Sequence, residues 1–195
     1  MPDWLVIALG YLIGSLPTAY LAGRLRGRRD IRRLGDTNPG AANVYRELGP
    51  AAGVAVFVGD VVKGAAVVLI ARAAHGSQAV LMLSGLAAVI GHNWPVFLGF
   101  RGGRGVSTSI GVLGALAPVP VLIVTPPTVL IIAWRRNVTL GMAFAYIAFF
   151  LLAWWRHVNP AVILYGIGLA ALVGVTTWFR LRGRAVGVEH HLSGR

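Results

Sequence analysis

Apolar positions along this chain neither alternate nor recur on one helical face; they run in long blocks, Trp4 to Gly23, Ala51 to Ala73, Ala79 to Leu98, Thr139 to Trp155 and Pro160 to Phe179, each bounded by charges or turn residues. Blocks that long and hydrophobic all round predict helices crossing a hydrocarbon core of about 30 Å. Asp3 stands where a signal peptide carries positive charge, so the first block reads as an uncleaved span.

Between Gly105 and Arg135 the pattern breaks. The 29 residues from Val106 to Trp134 hold Pro118, Pro120, Pro126 and Pro127. Interior prolines remove a backbone donor and clash with the preceding turn, so one straight helix is not expected, whereas two full spans need about 40 residues. Charge separates the two choices. If the segment crosses twice, the first-loop arginines, Arg101, Arg104, Arg135, Arg136 and the tail arginines share a side; only Arg72 and Arg156 lie opposite and Lys63 lies within a span, so one face collects 15 of the 18 basic residues. The positive-inside bias prefers that arrangement. It predicts an all-α, polytopic integral membrane protein with about seven transmembrane helices, some short or kinked, the N-terminus outside and the C-terminus cytoplasmic.

Composition sharpens this picture. With 195 residues, 56% of them hydrophobic, and a mean hydropathy of +0.72, the chain has more apolar surface than a soluble domain of its size can hide. The absence of cysteine excludes disulfide scaffolds, thiolate metal sites and a cysteine nucleophile. The net charge of +12 sits at membrane boundaries, where it suits anionic lipid headgroups or phosphorylated ligands. No nucleic-acid-binding pattern accompanies it, so nucleic acid is not an expected partner. No linker or internal repeat divides the chain, which reads as one domain over residues 1–195.

Two segments on the basic side carry candidate chemistry. GDTNPGAANVYR, Gly35 to Arg46, reads as a loop in which Gly40 permits close backbone approach, Asn38 and Asn43 offer amides, and Arg46 offers a planar guanidinium for phosphate. A turn with a helix cap explains the same residues. GHNWPVFLGFRGGRGVSTS, Gly91 to Ser109, reads as a phosphate cradle. Gly102, Gly103 and Gly105 would let successive backbone N–H groups point inward, Arg101 and Arg104 supply charge, Ser107 and Thr108 supply hydroxyls, and a helix beginning near Val106 presents its positive end. Walker A spacing is absent, and a tight turn with lipid-facing arginines is the alternative.

Other residues give weaker signals. His92 fits a proton carrier, a phosphate donor or a satisfied interfacial side chain. Asp60 and Lys63 lie three apart on one helical face and are expected to form a structural ion pair, with Gly64 allowing another helix to approach. The tail, with Glu189, His190 and His191, reads as a disordered end; the histidines face apart and make no metal site. No G-x-S-x-G or Ser-His-Asp logic indicates a covalent acyl enzyme.

Taken together, GSLPTAY at Gly14 to Tyr20, the first loop, DVVKG at Asp60 to Gly64, and GHNWPVFLGFRGGRGVSTS resemble the PlsY family of membrane glycerol-3-phosphate acyltransferases, over nearly the whole chain. The resemblance implies a seven-helix bacterial inner-membrane enzyme with its site facing the cytoplasm. Such an enzyme moves a fatty acyl group from acyl phosphate to the 1-position of glycerol 3-phosphate, giving lysophosphatidic acid and phosphate. It also implies no cofactor, neither metal nor coenzyme A, and a monomer is compatible with it. On that reading Arg104, His92, Thr37 and Glu189 are the catalytic candidates, and Asn38, Gly40, Asn43, Arg46, Arg101, Gly102, Gly103, Gly105, Ser107 and Thr108 bind substrate phosphate.

This chain departs from the family pattern in three places. Asp36 stands where the family usually has a hydroxyl, so an arginine must neutralise it, and Thr37 is expected to take over the hydroxyl role. Arg101 and Arg104 replace lysines, keeping charge but changing its geometry. In the third motif, Thr177 and Arg180 stand where the family carries His and Asn, and of its Gly-Thr-Glu only Gly187 and Glu189 persist around Val188. Two alternatives therefore stay open: a weakened relative that binds phosphorylated lipid precursors without transfer, and a small anion transporter.

Overall fold

The computed structural model describes residues 1–27, 29–135 and 137–192, with side chains except at 133, 138, 139, 181 and 183–192, and every regular element among them is helical. The order is α1 (Asp3–Gly14), α2 (Thr18–Leu25), α3 (Ala41–Leu48), α4 (Pro50–Ala73), α5 (Gln78–Asn93), α6 (Val106–Leu116), α7 (Pro118–Arg135), α8 (Val138–Trp155) and α9 (Pro160–Leu192), with short 3₁₀ turns at Ile31–Arg33 and Val96–Leu98. Asp3–Leu25, Pro50–Ala73, Gln78–Leu98 and Pro160–Arg180 are long and apolar enough to cross a membrane, and Val106–Leu116, Pro118–Ile132 and Leu140–Trp155 are shorter apolar helices. Exposed Trp4, Trp154 and Trp155 lie toward one end of the bundle and Trp134 and Trp178 toward the other, the placement of interfacial aromatics.

Several expected boundaries change. The block Trp4 to Gly23 is not one helix: the chain leaves helix at Ser15 and resumes at Thr18. Pro17 has no N–H to continue the ladder and disfavours helix at Leu16. The block Ala79 to Leu98 likewise ends its α-helix at Asn93, ahead of Pro95. The segment Val106 to Trp134 does divide in two, at Ala117, with Pro118 opening α7 where a missing N–H is not needed. Pro126 and Pro127 stay inside α7. The hydroxyls of Thr125 and Thr128 donate to the carbonyls of Val121 (2.7 Å) and Val124 (2.8 Å) beside them.

The segment read as a loop from Gly35 to Arg46 contains the start of α3. Ala41, Val44 and Leu48 recur at helical spacing, and with Ala19, Ile31, Ala52 and Val56 they form a small core under the first loop, separate from the main bundle core. The tail read as a disordered end has its backbone in α9 as far as Leu192.

Small residues set how closely helices pack. A Cβ at Gly64 would sit 2.3 Å from the Thr108 carbonyl oxygen, and one at Gly111 would sit 1.9 Å from that of Val61. Gly64 therefore has its expected role, and α4 and α6 meet backbone to backbone, the contact that replaces hydrophobic drive in lipid. With 11 residues, α6 is only about 17 Å long. Its N-terminal end lies beside the middle of α4, so the glycine-rich loop before it reaches down into the bundle.

Gly111→Val is expected to destabilise the fold by about 3 kcal/mol, whereas Gly174→Val, with nothing within 4 Å of its Cβ position, leaves stability unchanged. Denaturant unfolding in detergent micelles reads both; equal effects would mean that the α4–α6 contact does not hold the bundle.

Candidate functional site

The site is built upward from the buried charges of α4. Lys63 Nζ lies 2.8 Å from Asp60 Oδ1, with side chains 6% and 1% exposed. The same ammonium donates to the Leu16 carbonyl at 3.1 Å, in the break between α1 and α2. Thr18 Oγ1 donates to Asp60 Oδ1 at 2.6 Å, and His92 Nδ1 lies 3.5 Å from that oxygen. The expected ion pair is thus present, and it also joins the broken first span to α4 and α5.

His92 in turn forms the floor of the second loop. A Cβ at Gly103 would lie 2.1 Å from its Nε2, and one at Gly102 would lie 2.1 Å from its carbonyl oxygen. These glycines are required for close approach, not for a cradle of free amides: Gly102 N–H donates to Asn93 O (3.2 Å) and Gly103 N–H to His92 O (3.0 Å). The amides of the first turn of α6, which have no intrahelical acceptor, remain for an anion. From α9 the Arg180 guanidinium donates to the carbonyls of Gly102 and, at 2.8 Å, Asn93. Asn93 Nδ2 donates to Thr176 Oγ1 at 3.4 Å.

Asn43 organises the first loop. Fully buried, it accepts from the Asp36 N–H at 3.0 Å and donates to the carbonyls of Leu34 (3.0 Å) and Ile31 (3.4 Å), so both ends of its amide hold backbone. Asp36 Oδ1 accepts from the Asn38 N–H at 3.2 Å. Thr37 is exposed in the left-handed region, φ 52°. Gly40 precedes α3, and its carbonyl accepts from the N–H groups of Asn43 and Val44, both at 3.1 Å.

Asp36 then joins the loops. Its Oδ2 lies 2.9 Å from Arg46 Nη2 and 3.9 Å from Arg104 Nη2, so the neutralising arginine that the sequence demands is there. Arg32 makes a second bridge: it holds Asp30 at 2.8 Å, donates to Leu98 O at 3.2 Å and lies over the Tyr20 ring. Its hydrogen bond keeps the Asp30 carboxyl below the usual carboxylate range. Beside these bridges, Ser15 to Tyr20, Pro39, Lys63, His92, Gly102 and Gly103 line a narrow cleft of about 230 Å³ counting its open mouth.

Arg46, Arg104, Thr37 and Asn38 thus meet at one end of the bundle, with His92 beneath. Arg101 is exposed, Ser107 half-buried and Gly105 buried against Asn93. Thr108 is fully buried, with its backbone against α4. The side chain of Glu189 lies outside the described residues. Sequence reasoning missed Asn93 and Arg32 and read Arg180 only as a departure; the available signal was an arginine ending an apolar span at the level of a glycine-rich loop.

Residues 4–186 match the family model described as glycerol-3-phosphate acyltransferase. The chain is 45% identical over 178 residues to glycerol-3-phosphate acyltransferase 4 of Dehalococcoides mccartyi, covering 91% of this chain and 96% of that protein. It is 38% identical over 194 residues to glycerol-3-phosphate acyltransferase 2 of Moorella thermoacetica, covering 98% and 99%. The crystal structure of PlsY (YgiH), an integral membrane glycerol 3-phosphate acyltransferase, in its glycerol 3-phosphate form superposes with a TM-score of 0.81 at 36% identity, covering 99% of this chain and 93% of that one. Its lysophosphatidic acid form gives 0.79 at 34%.

Lys63→Met leaves the Asp60 carboxylate buried without its ammonium and is expected to cost about 3–5 kcal/mol of stability. The double variant Asp60→Leu/Lys63→Met recovers most of that loss in the same detergent unfolding assay. A double variant no more stable than the single one would show that the two side chains act separately.

Proposed function

The chain belongs to the glycerol-3-phosphate acyltransferase family and is an integral-membrane acyltransferase, and we propose that it moves a fatty acyl group from acyl phosphate to the 1-hydroxyl of glycerol 3-phosphate, releasing lysophosphatidic acid and phosphate. The observation that carries this reading is the Asp36 carboxylate set between Arg46 and Arg104. It cancels one of two positive charges and holds both guanidiniums at the junction of the loops, suited to substrates that each bear a phosphate.

The reaction asks mainly for placement. The acceptor oxygen attacks the acyl carbonyl carbon, the carbon–oxygen bond to phosphate breaks, and phosphate leaves with the electron pair. The hydroxyl proton passes to a substrate phosphate oxygen. Aligning the two substrates supplies much of the acceleration. In this scheme Arg104, Arg101 and the first-turn amides of α6 hold the donor phosphate and stabilise developing charge, as a helix N-terminus does for an anion. Arg46, Asn38 and the Thr37 hydroxyl orient the acceptor. Asn43, Gly40, Gly102, Gly103 and Gly105 keep the loops in shape, Ser107 and Thr108 belong to the turn that presents the amides, and His92 supports the cleft floor.

The same reading has residues 1–195 forming one domain in the bacterial inner membrane, with the N-terminus outside and the site open to the cytoplasm. This agrees with the side that carries most of the arginines.

Purified protein given acyl phosphate and glycerol 3-phosphate is expected to release phosphate and lysophosphatidic acid in equal amounts, with acyl coenzyme A giving none. Arg46→Ala and Arg104→Ala each lower kcat/KM by about 100-fold. Asp36→Ser frees both guanidiniums from their shared carboxylate and lowers turnover, as does Thr37→Val. Binding of both substrates without lysophosphatidic acid would overturn the assignment, and unchanged turnover in Thr37→Val would remove Thr37 from it.

A further inference from the structure

At the end of the bundle opposite the candidate site, α4 finishes at Ala73, α5 starts at Gln78, α6 gives way to α7 around Ala117, and α8 hands over to α9 between Trp155 and Pro160. A cleft of about 1060 Å³, counting its open mouth, lies among these ends. Its lining includes Arg72 and Arg156, the two arginines that the charge pattern leaves at this end of the molecule. One comes from the last turn of α4 and the other from the turn after α8, yet they face one space, and no carboxylate lines it.

The cleft has a polar rim and an apolar wall. Arg72 Nη2 donates to the Ala115 carbonyl at 3.0 Å, which fixes its guanidinium at the edge and satisfies a last-turn carbonyl of α6. Across the opening, Asn159 Nδ2 donates to Gln78 Oε1 at 3.1 Å, tying the starts of α9 and α5 together. Leu116 and Val162 face the interior of the cleft. Trp154 and Trp155, 76% and 70% exposed, immediately precede Arg156 and set this level at the membrane interface.

We propose that this cleft binds an anionic phospholipid of the leaflet opposite the candidate site, with the phosphodiester between Arg72 and Arg156 and one acyl chain against Leu116 and Val162. Charge complementarity selects an anion, and the apolar wall selects a lipid. A hydrated phosphate gains nothing from that wall, whereas an acyl chain gains from each methylene it buries there. The site is separate from the arginine pair held by Asp36, so occupancy does not depend on acyl transfer.

The test uses the full-length protein, delipidated in detergent, with phosphatidylglycerol as the probe and native mass spectrometry as the readout. The unmodified protein is expected to retain one phosphatidylglycerol per chain and phosphatidylcholine much less. Arg156→Gln weakens retention about 5-fold and Arg72→Gln/Arg156→Gln about 10-fold or more, in line with the contribution of one arginine near a charged headgroup. Acyl-transfer activity in detergent stays unchanged in both variants and shows that they are folded. Equal retention by all three proteins would overturn the proposal, as would equal binding of the two lipids. Displacement of the lipid by millimolar inorganic phosphate would overturn it in favour of a soluble anion.

Discussion

The architecture depends on the ion pair between Asp60 and Lys63. In a bilayer an isolated charge at this depth is costly, and a break in a span leaves backbone groups without partners. Here each problem resolves the other. Lys63 reaches the Leu16 carbonyl exposed by the break at Pro17, while Asp60 takes the Thr18 hydroxyl at the start of the next helix and lies beside His92. The break lines the candidate cleft, so the pair lies beneath the opening as well as within the bundle.

A second constraint follows from the length of α6. A helix of 11 residues cannot reach from one membrane face to the other, and glycines hold it against α4 along its length. Its N-terminus is therefore sunk into the bundle, and the loop carrying Arg101 and Arg104 follows it down over His92. This arrangement brings a positive helix end, two arginine-bearing loops and a narrow cleft to one place without any strand or extra domain among the described residues.

Arg180 gives the departure at the third motif a physical content. Its guanidinium fastens α9 to the carbonyls of Asn93 and Gly102, and Asn93 returns a bond to Thr176. The helix that carries the altered motif is thereby part of the support of the glycine-rich loop. Asp36, another departure, likewise anchors two arginines; its negative charge, unwelcome beside a phosphate, is offset by the positive groups that it positions.

What the sequence determined by itself was the medium and the cast of residues. Hydrophobic blocks too long for a soluble core dictate spans, the prolines between Val106 and Trp134 require a division there, and the side bias of arginines groups the polar loops. The Asp60–Lys63 pair was legible from three-residue spacing and Gly64 from its small size. Only the tertiary structure decided how the residues are used. Gly102 and Gly103 read as free amide donors, yet their N–H groups bind His92 and Asn93; Asn43 read as a ligand-facing amide, yet it is buried under the loop; and the polar run ending in Arg46 contains a helix with its own small core. The reason is that a hydrogen-bonding group in a sequence advertises capacity but not direction. Which partner it meets is set by contacts between segments far apart in the chain, such as Arg180 with Gly102 or Asp36 with Arg104, that no local pattern records.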